Sequence, residues 1–266
     1  MSGRNLEPDG FGTWDIRGET CRRAVETALG AGYRHLDTAR MYGNEEAVGE
    51  AIERSDVDRS DLYLATKVWD DSLGHEAVLH SAEASRRDLG VSTIDLLYVH
   101  WPRDTYAAEE TLPAFDELID RGVIRDVGLS NFTPALLDEA REVLEAPIRA
   151  HQVEMHPLLP QAELRDYADT HDHTLVAYCP LARGAVLDVP AIQRVADRHD
   201  ASPAQVSIAW VAAKGAVPIP RSSDPAHIRE NHEAPSISLS ADDIAAIDEI
   251  DRRERVVDPA NAAWNR

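Results

Sequence analysis

The stretch at residues 32–50, GYRHLDTARMYGNEEAVGE, decides how the rest of the chain is interpreted. It opens with a short strand-like segment, residues 34–37, that ends on the carboxylate of Asp37. A loop containing Tyr42 follows, and Asn44 then begins a helix whose first turn carries acidic residues, as the positive end of a helix dipole favours. An aspartate at the carboxyl end of a strand, with a tyrosine in the following loop, is typical of an active site on a βα-barrel.

Strand-like and helix-like segments alternate along the whole chain, and this alternation predicts an α/β fold with a parallel sheet. Residues 94–99 form a continuous apolar run of the kind found in fully buried strands. An eighth, weaker strand is expected near residues 233–235, and a polar tail is expected after a last helix that Ser240 caps. We therefore predict one domain over residues 1–266, a single (β/α)8 TIM barrel with its active site at the C-terminal face of the strands. The seven stronger predicted strands are residues 34–37, 61–66, 94–99, 124–129, 149–153, 175–178 and 217–219.

The composition excludes several classes of protein. Apolar residues make up 43% of the 266 residues, which is enough for a large core, and no apolar run is long enough to predict a membrane span. The first residues lack the apolar segment of a secretory signal, and two cysteines are too few for a disulfide framework, so we expect a cytoplasmic protein. A net charge of −21 argues against nucleic acid or an anionic membrane as a partner.

The charge itself has two interpretations. Only two of the 27 basic residues are lysines, Lys67 and Lys214, and the acidic residues are spread over the predicted helices instead of forming a tail. An ordinary acidic cytosolic protein and a protein adapted to high salt both fit. We favour salt adaptation, because screening permits a degree of self-repulsion that would loosen the fold in dilute buffer.

Polar residues stand at the carboxyl ends of the predicted strands, where such barrels hold their reacting groups. A buried ammonium at Lys67 needs a counter-charge, which Asp37 could supply. An ammonium close to the phenol of Tyr42 would lower its pKa from about 10. Each residue alone has an ordinary explanation, such as a surface cation for Lys67 or a satisfied core histidine for His100. Packing alone does not readily produce all four in this order.

In these motifs the chain resembles the aldo-keto reductases, in particular the bacterial and archaeal branch typified by 2,5-diketo-gluconate reductase. The resemblance implies that Tyr42 is the acid/base, that Lys67 and Asp37 tune it, and that His100 orients a substrate carbonyl while a nicotinamide delivers hydride. It implies NAD(P)H-dependent reduction of aldehydes, 2-oxoaldehydes or keto-sugars without a metal. A small-molecule substrate and a monomer or weak homo-oligomer are expected.

The resemblance also implies a cofactor site. Ser130 and Asn131, in RDVGLSNF (125–132), and Gln152 resemble residues that hydrogen-bond the nicotinamide carboxamide. Tyr178, in AYCPLARG (177–184), resembles the aromatic residue on which the ring stacks, and Cys179 is interpreted as a packing residue and not a nucleophile. The implied cofactor residues are Ser130, Asn131, Gln152, Tyr178, Cys179, Leu181, Arg183, Gly184, Ile219, Arg221, Ser222, Ser223, His227, Glu230 and Asn231.

The last of these motifs departs from the family pattern of Ile-Pro-Lys-Ser followed by an arginine and Glu-Asn. This chain has IPRSSD at residues 219–224, and His227 replaces the arginine. Arg221 can still pair with a 2′-phosphate through two hydrogen bonds, whereas Asp224 places a negative charge nearby. The expected cofactor is NADPH, with NADH as an alternative.

Three tryptophans, Trp14, Trp69 and Trp101, stand in family positions for the substrate wall beside His100, although ordinary core aromatics would also fit. The pair of histidines at 171 and 173 could suggest a metal site, but a solvated turn explains it better. The dinucleotide-binding GxGxxG and the hydrolase GxSxG motifs are absent. A different class of function is an alternative: a nicotinamide-binding regulatory subunit with little turnover.

Overall fold

The computed structural model describes residues 6–265. Within them, eight parallel strands pair in chain order, each with the next. Backbone hydrogen bonds from Gly10 N to Pro218 O (2.9 Å) and from Gly12 N to Pro220 O (3.0 Å) join the last strand to the first. The sheet therefore closes into the predicted (β/α)8 TIM barrel. The strands are β1 (Phe11–Gly12), β2 (His35–Asp37), β3 (Tyr63–Val68), β4 (Ile94–Val99), β5 (Ile124–Ser130), β6 (Ile148–Glu154), β7 (Thr174–Tyr178) and β8 (Val217–Pro218).

Helices connect the strands and cover the outside of the barrel. The described α-helices are α1 (Gly18–Ala31), α2 (Glu45–Arg54), α3 (His75–Asp88), α4 (Ala108–Asp120), α5 (Pro134–Val143), α6 (Ala162–His171), α7 (Pro190–His199), α8 (Pro203–Ala213), α9 (Pro225–Glu233) and α10 (Ala241–Asp248). Among residues 6–265, no helix combines the length and the apolar character that a bilayer crossing requires.

The strands are buried on both faces. All six residues of β3 and all six of β4 are buried, as expected for strands that have the barrel interior on one side and helices on the other. Tyr63, Leu96 and Tyr98 belong to a cluster inside the barrel, and larger apolar clusters fill the layer between sheet and helices. The ring of His35 lies edge-on to Tyr63, with 5.7 Å between the ring centroids.

The predicted strand near residues 233–235 is wrong. Glu233 ends α9, and the 3₁₀ helix Ala234–Ser236 follows it. A proline cannot donate a ladder hydrogen bond, so Pro235 is poorly suited to a closing strand. The eighth strand of the barrel is instead β1, which is too short to leave an apolar run in the sequence.

The prediction for Ser240 is confirmed. Its Oγ atom accepts a hydrogen bond from Asp243 N at 3.1 Å, and the Asp243 carboxylate accepts one from Ser240 N at 3.0 Å. This reciprocal pair is a capping box, which satisfies two amide groups at the start of α10.

Candidate active site

A pocket of about 780 Å³ opens at the carboxyl end of the strands. Residues at or just after all eight strands line it, and residues 256–259 of the C-terminal segment complete the wall. This is the face at which βα-barrels carry their sites. The predicted residues that line it are Trp14, Asp37, Tyr42, Trp69, His100, Trp101, Ser130, Asn131, Gln152, Tyr178, Cys179, Leu181, Arg183, Gly184, Ile219 and Arg221.

Asp37 and Lys67 form a buried ion pair on the neighbouring strands β2 and β3. Lys67 Nζ also donates to Thr38 O at 2.7 Å, and Gln152 Nε2 donates to the other Asp37 oxygen at 2.7 Å. Burial lowers the pKa of Lys67, and the Asp37 carboxylate opposes that change. The predicted counter-charge for Lys67 is therefore present.

Tyr42 ends the 3₁₀ helix Arg40–Tyr42 that follows β2, and it lies half-buried in the pocket wall. Lys67 Nζ is 5.3 Å from the centroid of its ring. Burial raises the pKa of Tyr42 well above 10.0, and the charge of Asp37 adds to this effect. The structure thus departs from the expected lowering by Lys67, because burial disfavours the phenolate and Asp37 repels it. The phenol keeps its proton at neutral pH.

His100 directly follows β4 and lies between two aromatic rings. Its ring is edge-on to Tyr42 (centroids 5.8 Å apart) and to Trp69 (5.0 Å). Burial, followed by the charges of Lys67 and Arg103, lowers the pKa of His100 well below 6.5. The imidazole is therefore neutral, with one nitrogen able to donate a hydrogen bond and the other able to accept one.

The residues predicted to hold the nicotinamide form one connected group across β5, β6 and β7. Tyr178 Oη donates to Asn131 Oδ1 at 2.8 Å, and Asn131 Nδ2 donates to His100 O at 3.0 Å. Ser130 Oγ donates to Gln152 O at 3.0 Å. Because Gln152 also binds Asp37, this group is continuous with the Asp37–Lys67 pair.

Cys179 lines the pocket beside Tyr178 and is half-buried. Burial and the nearby charge of Glu154 raise the pKa of the Cys179 thiol to about 11. A nucleophilic cysteine requires the thiolate, so a protonated thiol here agrees with a packing role.

Trp14 lines the pocket and packs against two of its arginines. Its ring centroid is 5.3 Å from Arg183 Cζ and 5.4 Å from Arg221 Cζ, which are cation–π distances. Arg221 Nη2 is also 4.0 Å from Asp15 Oδ2. Trp14 therefore contacts two residues predicted to bind the cofactor.

The end of the predicted cofactor motif does not line the pocket. Ser222, Ser223, His227, Glu230 and Asn231 lie in the loop after β8 and on α9, outside the set of lining residues.

The start of α9 is already occupied by an acidic side chain. Asp224 Oδ1 accepts hydrogen bonds from Ala226 N (2.8 Å) and His227 N (3.2 Å). These bonds hold the pKa of Asp224 below its usual value, so a negative charge occupies the amide groups that could otherwise bind a phosphate.

Residues 256–259 of the C-terminal segment belong to the site, although the sequence analysis does not identify them. The sequence predicts only a polar tail for this segment. The ring of Trp264 packs on Trp101 with 5.6 Å between centroids. The one available signal was the pair Val256-Val257 in the otherwise charged run RRERVVD (252–258).

The two histidines considered for a metal have other contacts. Arg141 Nη2 donates to His173 Nδ1 at 2.9 Å, and burial lowers the pKa of His173 to about 4. The ring of His171 packs on the ring of Tyr167, with 4.2 Å between their centroids. Within residues 6–265, no group of three or more His, Cys, Asp or Glu side chains is arranged to hold a metal ion.

Comparison with known proteins decides the family. The sequence model of the Aldo/keto reductase family matches residues 10–252. This chain is an aldo-keto reductase. An aldo-keto reductase of Mycolicibacterium smegmatis is 39% identical over 255 residues, covering 96% of this chain and 93% of the relative. The methylglyoxal reductase DkgB of Salmonella typhi is 36% identical over 257 residues, covering 96% of both chains.

A solved structure supports the same assignment. An aldo-keto reductase from a Medee basin deep-sea metagenome library superposes with a TM-score of 0.92 at 32% identity, covering 96% of this chain and 95% of that one. The chain is therefore an oxidoreductase enzyme of this family.

The pocket of this aldo-keto reductase fits a nicotinamide cofactor, the type that the family uses. Tyr178 is half-buried and lines the cavity together with Asn131 and Gln152. Arg183 and Arg221 border the same cavity and supply the positive charge that a pyrophosphate or a 2′-phosphate needs.

Proposed function

We propose that the enzyme reduces aldehydes, 2-oxoaldehydes or keto-sugars to alcohols with NAD(P)H, and that Tyr42 is the proton donor. The observation that carries this proposal is the buried Asp37–Lys67 pair beside the Tyr42 ring, next to a neutral His100 in the same pocket as Tyr178. Burying the Lys67 ammonium without a partner would be unfavourable in free energy. Its position beside a phenol supports a role for the buried charge in the reaction.

Each side chain has a defined part in the proposed reaction. A bound reduced nicotinamide supplies the hydride. His100 hydrogen-bonds the carbonyl oxygen and fixes its orientation, and the Tyr42 hydroxyl delivers its proton to that oxygen as negative charge develops. The ammonium of Lys67 then stabilises the phenolate that remains, and Asp37 keeps the ammonium charged and in place.

NADPH is the proposed cofactor, and we expect its preference over NADH to be small. Arg221 is exposed and permanently charged, as a partner of a 2′-phosphate should be. Asp224 disfavours binding of the 2′-phosphate, because its carboxylate already accepts hydrogen bonds from the first amides of α9.

Two features support the substrate class. One relative is named as a methylglyoxal reductase, which makes a 2-oxoaldehyde the natural first substrate to test. The pocket also presents Trp69 and Trp101 around His100, where a small carbonyl would be held. We keep as further proposals one domain over residues 1–266, a cytoplasmic location, a monomer or weak homo-oligomer, and adaptation to high salt.

The test follows NADPH and NADH oxidation with methylglyoxal, at low and at molar salt, in the wild type and in Tyr42→Phe. We expect Tyr42→Phe to lower kcat by about 10²–10⁴-fold, since it removes a general acid, while the Kd for NADPH stays unchanged. Tyr167→Phe is the matched control, because Tyr167 donates to Asp138 outside the pocket and should leave kcat unchanged. Tight cofactor binding without turnover at any salt would favour the regulatory-subunit alternative.

A further inference from the structure

Glu154, the last residue of β6, holds two consecutive backbone amides of the C-terminal segment. Its Oε1 atom accepts from Val256 N at 2.7 Å, and its Oε2 atom accepts from Val257 N at 2.8 Å. His156 Nε2 is a third neighbour, 2.9 Å from Oε1. Glu154 is completely buried and does not line the pocket itself.

We call residues 251–265 the C-terminal strap. Apart from the 3₁₀ helix Ala263–Asn265, the strap has no regular secondary structure. Two further hydrogen bonds hold it on either side of Val256 and Val257: Glu254 N donates to Leu158 O at 3.0 Å, and Arg103 Nη1 donates to Asn261 Oδ1 at 2.9 Å. The strap residues between these contacts, 256–259, are the ones that form the pocket wall.

We propose that Glu154 is a positioning residue that fixes Val256 and Val257 against the pocket and thereby decides which carbonyl substituents fit. The hydrogen bonds of its carboxylate go to His156, Val256 and Val257, and not to the four residues proposed for the reaction. The inference rests on the proposed function, because it concerns the substrate part of that site.

The chemistry explains why a carboxylate serves this position. Two N–H groups point at one side chain, and a carboxylate offers each of them an acceptor oxygen. Glutamine has nearly the same volume, but its amide nitrogen would face one of the two N–H groups. Glu154→Gln therefore breaks one anchoring bond and leaves a backbone donor of the strap unpaired.

The kinetic test compares a small and a bulky substrate, methylglyoxal and 4-nitrobenzaldehyde, in the wild type and in Glu154→Gln. We expect the KM for 4-nitrobenzaldehyde to change by about tenfold, the equivalent of one charged hydrogen bond, with kcat and the KM for methylglyoxal near wild type. Glu163→Gln, an exposed glutamate on α6, is the matched control. Equal KM changes for both substrates, or none for either, would overturn the proposal.

Hydrogen exchange of residues 250–265, followed by mass spectrometry, tests the anchor without any turnover. We expect the amides of Val256 and Val257 to exchange slowly in the wild type and at least about tenfold faster in Glu154→Gln. Fast exchange in the wild type would overturn the anchoring role. If the wild type protects these amides but reduces no carbonyl, the proposed function fails while the anchor stands.

A second variant tests the proposal independently, in case Glu154→Gln does not fold. Val256→Ala with Val257→Ala shortens the wall without touching Glu154. We expect it to alter the KM for 4-nitrobenzaldehyde selectively as well. An unchanged ratio of the two KM values in this variant would overturn the role of the valines in specificity.

Discussion

Tyr42 and His100 are both held in their neutral forms by burial, which shifts their pKa values in opposite directions. Burial is the main cause that raises the pKa of Tyr42 above 10.0 and lowers the pKa of His100 below 6.5. Burial disfavours the charged form, which is the deprotonated form of a phenol and the protonated form of an imidazole. A carbonyl entering the pocket therefore meets a proton on Tyr42 and an uncharged hydrogen-bonding ring.

The pH dependence of reduction follows from the raised pKa of Tyr42 and the lowered pKa of His100. We expect kcat/KM for methylglyoxal reduction to be flat between about pH 6.5 and 9, because Tyr42 loses its proton only above its ordinary pKa and His100 gains one only below its own. The measurement is initial rates in overlapping buffers at constant ionic strength. A decline with an apparent pKa between about 7 and 9 would show that another group controls the reaction.

Cofactor preference is predicted to move in opposite directions at two neighbouring positions. Asp224→Asn keeps a side-chain cap on α9 but removes its charge, so the NADPH/NADH ratio of kcat/KM should rise about two- to fivefold. Arg221→Gln removes the proposed partner of the 2′-phosphate, so the same ratio should fall by about tenfold. The assay is steady-state kinetics with each cofactor. Two shifts of the same sign would contradict this assignment.

The four residues proposed for the reaction could be picked out from the sequence because they stand at or near strand ends. Asp37 ends β2, Lys67 is the last residue but one of β3, and His100 follows β4, and parallel strands bring such positions together. The contacts of Trp14 with Arg183 and Arg221 were harder to predict, because a side chain in a loop takes its partners from loops distant in sequence. The place of residues 256–259 in the pocket wall could not be predicted, because the backbone of the strap is irregular and its anchor, Glu154, is 102 residues away from Val256.

Helices α2 and α3 approach each other at a glycine. A Cβ atom added at Gly49 would lie 2.7 Å from Leu89 O and 2.9 Å from Asp88 O, at the end of α3. These are backbone atoms, which cannot turn aside as a flexible side chain could. Gly30, near the end of α1, is exposed and has no atom within 4 Å of an added Cβ.

The two glycines should respond to alanine with opposite signs. We expect Gly49→Ala to lower the free energy of unfolding by about 1–3 kcal/mol through overpacking. Gly30→Ala should raise it by about 0.5–1 kcal/mol, because alanine restricts the unfolded chain and favours the helix. Urea denaturation of each variant measures the difference. A stabilised Gly49→Ala would mean that α2 moves away from α3 at little cost.

Strand lengths explain why most of the barrel, but not its closure, could be predicted. Strands β3 to β7 are five to seven residues long, and β3, β4 and β7 are mainly apolar, so these strands are recognisable in the sequence. The strands that close the barrel, β1 and β8, have two residues each, and their partners are set by backbone hydrogen bonds across the chain ends.

Buried histidines should make the folded protein sensitive to mild acid. Burial lowers the pKa of His35 to about 4, of His151 to about 3 and of His173 to about 4, whereas the ordinary value is 6.5. Between these values the unfolded chain binds protons that the folded protein excludes. Stability is therefore greatest above pH 6.5 and is lost as the pH falls toward about 4.

Urea unfolding at a series of pH values measures this effect. Each such histidine should contribute a slope approaching about 1.4 kcal/mol per pH unit in that window. His151→Leu should reduce the slope by about that amount, whereas His80→Gln, on an exposed position of α3, should leave it unchanged. A slope that His151→Leu does not alter would show that carboxylates alone cause the acid sensitivity.

The burial of Lys67 also determines how this enzyme can be handled chemically. Of its two lysines, one is sealed in the barrel against Asp37, and the side chain of the other, Lys214, is 15% exposed and paired with Asp248. Amine-directed reagents such as N-hydroxysuccinimide esters or glutaraldehyde will therefore react poorly with the lysine side chains of the folded protein. Carbodiimide coupling, which draws on 48 aspartate and glutamate residues, is the better route for attaching it to a surface.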